Sequence, residues 1–172
     1  MTDEIVDVAA KVARALEAAG VPYLLGGSVA AGLMGEPRAT RDIDFAVRLA
    51  RGQVDGLVRA LGDDFSVDED ALLDAIARGR SANIFHLPTV MKVDLFVRGG
   101  HPFDLSEFSR RIAVEISPEA GSLYVASPED NILRKLAWFR MGGEVSDQQW
   151  RDVLGMIRTA GPRLEAAYLD EW

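Results

Sequence analysis

The sequence predicts an α/β fold of the α+β kind: a small mixed β-sheet flanked by helices, with more helices at the C-terminus. Short apolar runs at Tyr23-Leu24-Leu25, Thr40–Val47 and Val90–Val97 alternate in polarity or are bounded by Gly and Pro, as half-buried strands are. Residues 3–19 instead repeat Ile5, Val8, Ala9, Val12 and Leu16 at helical spacing. Ser127 and Ser146 each open a segment with a helix N-cap signature. At 172 residues the length suits one domain, with the sheet over about 20–100 and a helical part over about 127–172.

Taken in order, the first helix ends at Gly20, a C-terminal cap, and Pro22 opens the first strand. Ser28 to Met34 is small and apolar and reads as a short helix beginning at the Gly-Gly turn, and Gly35-Glu36-Pro37-Arg38 reads as a loop. Helices are expected at about 51–61 and 69–78, and strands at 82–87 and 90–97 around Pro88-Thr89. Gly99-Gly100-His101-Pro102 reads as a loop, and 112–116 with 122–125 as a hairpin turning at Pro118-Glu119-Ala120-Gly121. Ser127-Pro128-Glu129-Asp130 has a Ser cap and proline at the first helical position, and Ser146-Asp147-Gln148-Gln149 is a capping box. A short terminal helix is expected over 162–172.

Bulk properties narrow the functions. Apolar residues make up 48% and charged residues 27%, an ordinary globular composition. No run of about 18 apolar residues predicts a membrane span, and the acidic start Met1-Thr2-Asp3-Glu4 lacks the basic region of a secretory signal. The absence of cysteine removes disulfide and thiolate chemistry, so a cytoplasmic protein is expected. A net charge of −8 argues against an extended duplex nucleic-acid surface. It leaves room for a local basic patch from Arg38 and Arg41 and from Arg134, Lys135 and Arg140 on a later helix.

The chemistry concentrates in three places. Gly26-Gly27-Ser28 closes the first strand, and thirteen residues later Asp42-Ile43-Asp44 lies within the second. On a strand, Asp42 and Asp44 share one face while Ile43, Phe45 and Val47 share the other. Two carboxylates about 7 Å apart repel each other and call for a cation; a strand at a sheet's edge would present them to Mg²⁺ and its phosphate ligands. Asp94 lies on a later strand with Lys92 and Phe96 on its face.

Gly-Gly-Ser, Asp-x-Asp and a later strand Asp together closely resemble the nucleotidyltransferase superfamily that includes the β-type DNA polymerases. Leu25-Gly26-Gly27-Ser28-Val29-Ala30 and Arg38-Ala39-Thr40-Arg41-Asp42-Ile43-Asp44 look most like its AbiEii/AbiGii toxin-type branch. The resemblance spans roughly residues 20–158. It implies nucleotide binding by Gly27 and Ser28 and a catalytic metal site at Asp42, Asp44 and Asp94 holding two Mg²⁺, with Mn²⁺ as a substitute; Gly26 in the same turn and Arg41 in the flanking basic patch are further nucleotide-binding candidates. The helix from Ser127 is similar to one in which that branch carries a lysine, which makes Lys135 a catalytic candidate. Arg151-Asp152-Val153-Leu154 resembles a later family element, but Gly155 stands where that element has a second aspartate.

The implied reaction moves a nucleoside monophosphate from NTP to an acceptor: an RNA end such as that of tRNA, a protein side chain or a small molecule. The toxin-type likeness also leaves room for an antitoxin partner. Two other readings use the same residues: a nucleotide- or partner-binding protein without turnover, and a two-metal phosphohydrolase. Plainer roles are expected elsewhere. Asp63, Asp64, Asp68, Glu69 and Asp70 read as a solvated acidic surface, His86 as structural and His101 as a loop residue. Trp138 and Trp150 suit packing better than base stacking, and Arg151-Asp152 suits an exposed pair. Lys135 lies beside a core stripe of Ile132, Leu133, Leu136 and Phe139.

Overall fold

A computed structural model describes residues 3–34, 40–117, 121–143 and 145–172. The expected loop at 35–38, Arg38 included, and the hairpin turn at 118–120 lie outside the described residues. Eight α-helices and seven strands alternate along the described chain: α1 Asp3–Ala18, β1 Tyr23–Leu25, α2 Gly27–Leu33, β2 Asp42–Val47, α3 Val54–Leu61, β3 Phe65–Val67, α4 Glu69–Arg78, β4 Ser81–His86, β5 Met91–Val97, α5 Pro102–Arg110, β6 Ile112–Ser117, β7 Gly121–Val125, α6 Pro128–Met141, α7 Asp147–Ala160 and α8 Ala166–Glu171. The strands form one sheet in the order β3-β4-β5-β2-β1-β7-β6. Pairing is parallel for β2 with β5 and for β1 with β7, and antiparallel elsewhere, so the sheet is mixed as the sequence implied.

Two layers cover the sheet. On one face Ile43, Phe45, Val47, Val93, Leu95 and Ile84 pack under Val12 and Leu16 of α1, Leu57 of α3 and Leu72 of α4. The other face has a smaller apolar group, Leu24, Ala46, Phe108 and Ala126. A third cluster, Ala31, Ile132, Val153 and Met156, joins α2 to α6 and α7. The strand carrying Asp42 and Asp44 is therefore the central one, not the expected edge. Ile43, Phe45 and Val47 are fully buried and need a helical layer over them, which an edge position would leave incomplete.

Several other expectations change. β3 was not predicted because three residues flanked by acids give no pattern; its pairing with β4 makes it a strand. The Gly99–Pro102 segment was read as a loop, but Pro102 is the first residue of α5 and the His101 ring nitrogen accepts a hydrogen bond from the Phe103 N–H at 3.2 Å. A helix preceding the hairpin was hidden by its Gly-Gly entry and low apolar content. The helix expected at 51–61 begins as a 3-10 turn over Arg51–Gln53, and the terminal helix begins only at Ala166, after a 3-10 turn at Gly161–Arg163. Val90 belongs to the turn before β5, with φ +57°, a conformation that disfavours a β-branched side chain.

Candidate active site

Parallel pairing of β2 with β5 sets Asp44 directly beside Asp94 and Asp42 beside Lys92. Neighbouring strands run about 4.8 Å apart, and matched residues point the same way, so the three acids and Lys92 share one face. That face floors a cleft of about 350 Å³ bounded by Gly26, Gly27 and Ser28 on one side and by Asn131, Arg134, Lys135 and Trp138 of α6 on another. Ser146, Gln148 and Gln149 from the start of α7 close a further side. Of the residues singled out in the sequence, Gly26, Gly27, Ser28, Asp42, Asp44, Asp94 and Lys135 all line this cleft. Arg41 is exposed just before β2 and is not among the lining residues.

The glycine turn is fitted to Asp44. Gly26 N–H donates to the Asp44 carbonyl at 2.8 Å, and Gly27 opens α2 with φ +61°. A Cβ on Gly27 would overlap the Asp44 carboxylate oxygen and lie 3.0 Å from its Cγ. Asn131 of α6 donates to the Gly27 carbonyl at 3.1 Å, which ties the turn to the C-terminal helices. Glycine is thus required here twice over, by its dihedral and by the nearness of the acid.

Electrostatics single out Asp44. Burial pushes its carboxyl pKa up, the charges of Asp94 and then Asp42 push it further, and Lys135 and Lys92 oppose them. Lys92 bridges the other two acids, at 2.8 Å from Asp94 and 3.6 Å from Asp42. Its own pKa is raised, first by the hydrogen bond to Asp94. Alternation already put Lys92 on Asp94's face; what the sequence did not give was the lateral pairing that brings Asp42 to it.

Lys135 is not the solvated lysine that helix position suggested. It is buried, and its ammonium lies 2.7 Å from Asp152 and 3.2 Å from Gln149 of α7. Asp152 is consequently not half of an exposed Arg151-Asp152 pair, and Arg151 donates to the Asp147 carbonyl instead. Of the stripe beside Lys135, Ile132 is buried, while Leu133, Leu136 and Phe139 are only partly so. Lys135→Ala is therefore expected to destabilise the fold. Removing one partner of a buried pair costs about 3 kcal/mol or more, roughly 6–12 °C in the melting temperature of a domain this size. A melt unchanged within about 2 °C would show that the pair contributes nothing.

Arg134 is likewise compensated rather than free. It bonds Glu107 at 2.6 and 3.0 Å and Asp104 at 2.5 Å, and both acids belong to the unforeseen α5. The basic patch expected on α6 is therefore largely neutralised in place at Arg134 and Lys135. The acidic run at 63–70 is exposed, as read, and Asp68 caps α4. His86 is structural: it is buried between Thr89 at 2.8 Å and Lys11 at 3.4 Å. Trp138 and Trp150 are not core; about half of each remains exposed, at 48% and 46%.

Solved structures share this arrangement of sheet and helices with the molecule. It is similar to the solution structure of the antibiotic-resistance factor ANT(2'')-Ia, with a TM-score of 0.60, 14% identity, and 99% of this chain and 94% of that one covered. It is also similar to an antigenic nucleotidyltransferase-like protein from Paracoccidioides brasiliensis, with a TM-score of 0.56, 16% identity, and 99% and 86% covered. The chain has a nucleotidyltransferase fold. No family model and no curated protein matches it in sequence. Among the described residues no helix is long and apolar enough to cross a membrane.

The donor set suits a hard divalent cation. Burial first, and then the charges of Asp94 and Asp42, hold the Asp44 pKa up, and a bound cation would relieve the repulsion among the three acids. Among the described residues, however, no three acidic, histidine or cysteine side chains are gathered as a ready metal site. The ammonium of Lys92 lies between Asp42 and Asp94, so a cation held by all three acids requires Lys92 to move aside. Lys92→Gln is therefore expected to tighten Mn²⁺ binding about fivefold. That corresponds to about 1 kcal/mol, the repulsion between a divalent ion and an ammonium moved aside to about 8 Å in a solvated setting. Calorimetric titration reads the effect, and equal or weaker binding would mean that Lys92 does not compete with the ion.

Proposed function

We propose that this protein is a Mg²⁺-dependent nucleotidyltransferase, moving a nucleoside monophosphate from NTP to an acceptor hydroxyl. The observation that carries the reading is the register that sets Asp44 beside Asp94, with Asp42 on the same face and the Gly27 turn against Asp44. Asp42, Asp44 and Asp94 would hold the metal, two ions in the full site with Mn²⁺ as a substitute. When bound, such ions stabilise the entering and leaving oxygens of an in-line displacement.

The residues of the chain supply the rest. Gly26, Gly27 and Ser28 would place backbone and hydroxyl groups against the β and γ phosphates, with Lys135, its charge balanced by Asp152, as a hydrogen-bond donor beside them. The acceptor oxygen attacks the α-phosphorus, the bond to the bridging oxygen breaks, and pyrophosphate leaves. Asp94 would help take the acceptor's proton. Arg41, exposed just before β2, would add positive charge for the nucleotide from outside the cleft lining.

The toxin-type sequence likeness favours an RNA end or a protein side chain as acceptor, with an antitoxin as partner. The fold likeness to an antibiotic-resistance factor keeps a small molecule among the candidate acceptors. The net charge of −8 and the neutralised Arg134 and Lys135 fit a compact acceptor better than a duplex. Incubation with Mg²⁺ and each α-labelled NTP, plus total tRNA, a protein extract or a panel of antibiotics, tests the reading. Label on an acceptor supports it. Free monophosphate would instead indicate a phosphohydrolase, and NTP binding without products a binding module.

A further inference from the structure

Trp138 is a large aromatic side chain that remains 48% exposed while lining the cleft. Exposure alone is not the argument, since Trp150 is equally exposed but packs on Phe139 and does not line the cleft. What distinguishes Trp138 is its place on α6. Asn131, Lys135 and Trp138 fall at i, i+4 and i+7, one face of the helix, and all three line the cleft. Asn131 is anchored to the Gly27 carbonyl, so this face starts at the glycine turn. Seven residues along the helix carry it about 10 Å further, past Lys135, to Trp138.

The ring is also held in position from behind. It meets Phe96 edge to face, with centroids 5.6 Å apart at 73°. Phe96 is in turn met by the Arg98 guanidinium, 5.4 Å from its centroid. Phe96 stands on β5, two residues beyond Asp94 on the same strand face, and Arg98 follows immediately after the strand's last residue, Val97. The cleft thus runs from a glycine turn and acids at one end to a braced, half-open indole at the other. A nucleotide has the same polarity: charged phosphates at one end, and a flat π-face at the other that stacks on aromatic side chains whatever the base.

We infer that Trp138, braced by Phe96, is the stacking platform for the nucleobase of the bound NTP. The inference rests on the nucleotidyltransferase reading and identifies the residue that holds the end of the substrate away from the chemistry. Because a π-face discriminates little between bases, Trp138 sets affinity for nucleotides as a class rather than for one of them.

Calorimetric titration of the full chain with Mg²⁺ and ATP, GTP, CTP or UTP, and separately with inorganic tripolyphosphate, tests it. Trp138→Ala is expected to weaken NTP binding at least about tenfold and to leave tripolyphosphate binding unchanged, while Trp138→Phe stays within about threefold for both. In the parent, NTP but not tripolyphosphate should quench tryptophan fluorescence, and the quench should vanish in Trp138→Phe although binding persists. That last arm stands even if the alanine variant fails to fold. Unchanged NTP affinity in Trp138→Ala, or an equal loss for NTP and tripolyphosphate, overturns the platform. A parent that binds neither NTP nor tripolyphosphate overturns the nucleotidyltransferase reading itself, and the platform with it.

Discussion

Asp44→Asn is expected to cut nucleotidyl transfer by at least about a hundredfold, because a metal-held site supplies several kcal/mol of charge stabilisation. The same change should not harm the fold. Asp44 is held at raised pKa by burial, by Asp94 and by Asp42, so its ionised form is a cost to the metal-free protein. An amide of nearly the same shape removes that cost. In chelator at neutral pH the variant should melt at or above the parent, by roughly 2–4 °C for a gain of about 1 kcal/mol. Mg²⁺ with NTP at about 100 times the dissociation constant should stabilise the parent by roughly 2.7 kcal/mol and the variant by much less.

The pH dependence follows with a definite sign. A carboxyl whose folded pKa is raised binds its proton more tightly in the native state. Its contribution is therefore most favourable below the unfolded carboxylate pKa, near 3.9, and is lost as pH rises through the raised folded value. The advantage of Asp44→Asn in chelator should be smallest in acid and widen towards neutrality. A variant strongly destabilised in chelator would make Asp44 a structural hydrogen-bonding residue. A variant that keeps the full Mg²⁺-NTP shift would remove it from the site.

Among the described glycines, Gly27→Ala should be the most damaging substitution. The left-handed backbone costs an alanine about 1–2 kcal/mol, and forcing a methyl against the Asp44 carboxylate adds a cost of about 1–3 kcal/mol. Together, at about 2–5 kcal/mol, these lower the melting temperature by roughly 4–20 °C and displace the acid from Asp94. Gly79 provides the control: it has the same φ of +61°, yet a Cβ there meets nothing within 4 Å. Gly79→Ala should show the backbone part alone. Adding Asp44→Ala to Gly27→Ala should recover much of the difference, since the two changes share one contact. Equal melts for Gly27→Ala and Gly79→Ala would show that the turn gives way without moving Asp44.

The comparison of sequence with structure turns on how far apart in the chain the interacting residues lie. Alternation within a strand is a local property, so the sequence alone put Asp42 and Asp44 on one face, Asp94 with Lys92 on another, and the glycine turn at the head of α2. Capping chemistry is local too, which is why the starts of α6 and α7 were legible at Ser127 and Ser146. What tertiary structure decided was lateral. The register that pairs Asp44 with Asp94 and Asp42 with Lys92 depends on which strands become neighbours, and the buried face of β2 required that strand to be central. Lys135 could not be assigned from its helix because its partner, Asp152, comes from the next one, and removing a lysine from water needs that partner. Trp138 looked like core because its spacing fits a helical stripe; only the packing of α6 along the cleft leaves its ring half open beside Phe96. A sequence specifies its periodicities residue by residue, whereas charge pairing and exposure are fixed only when separate elements pack together.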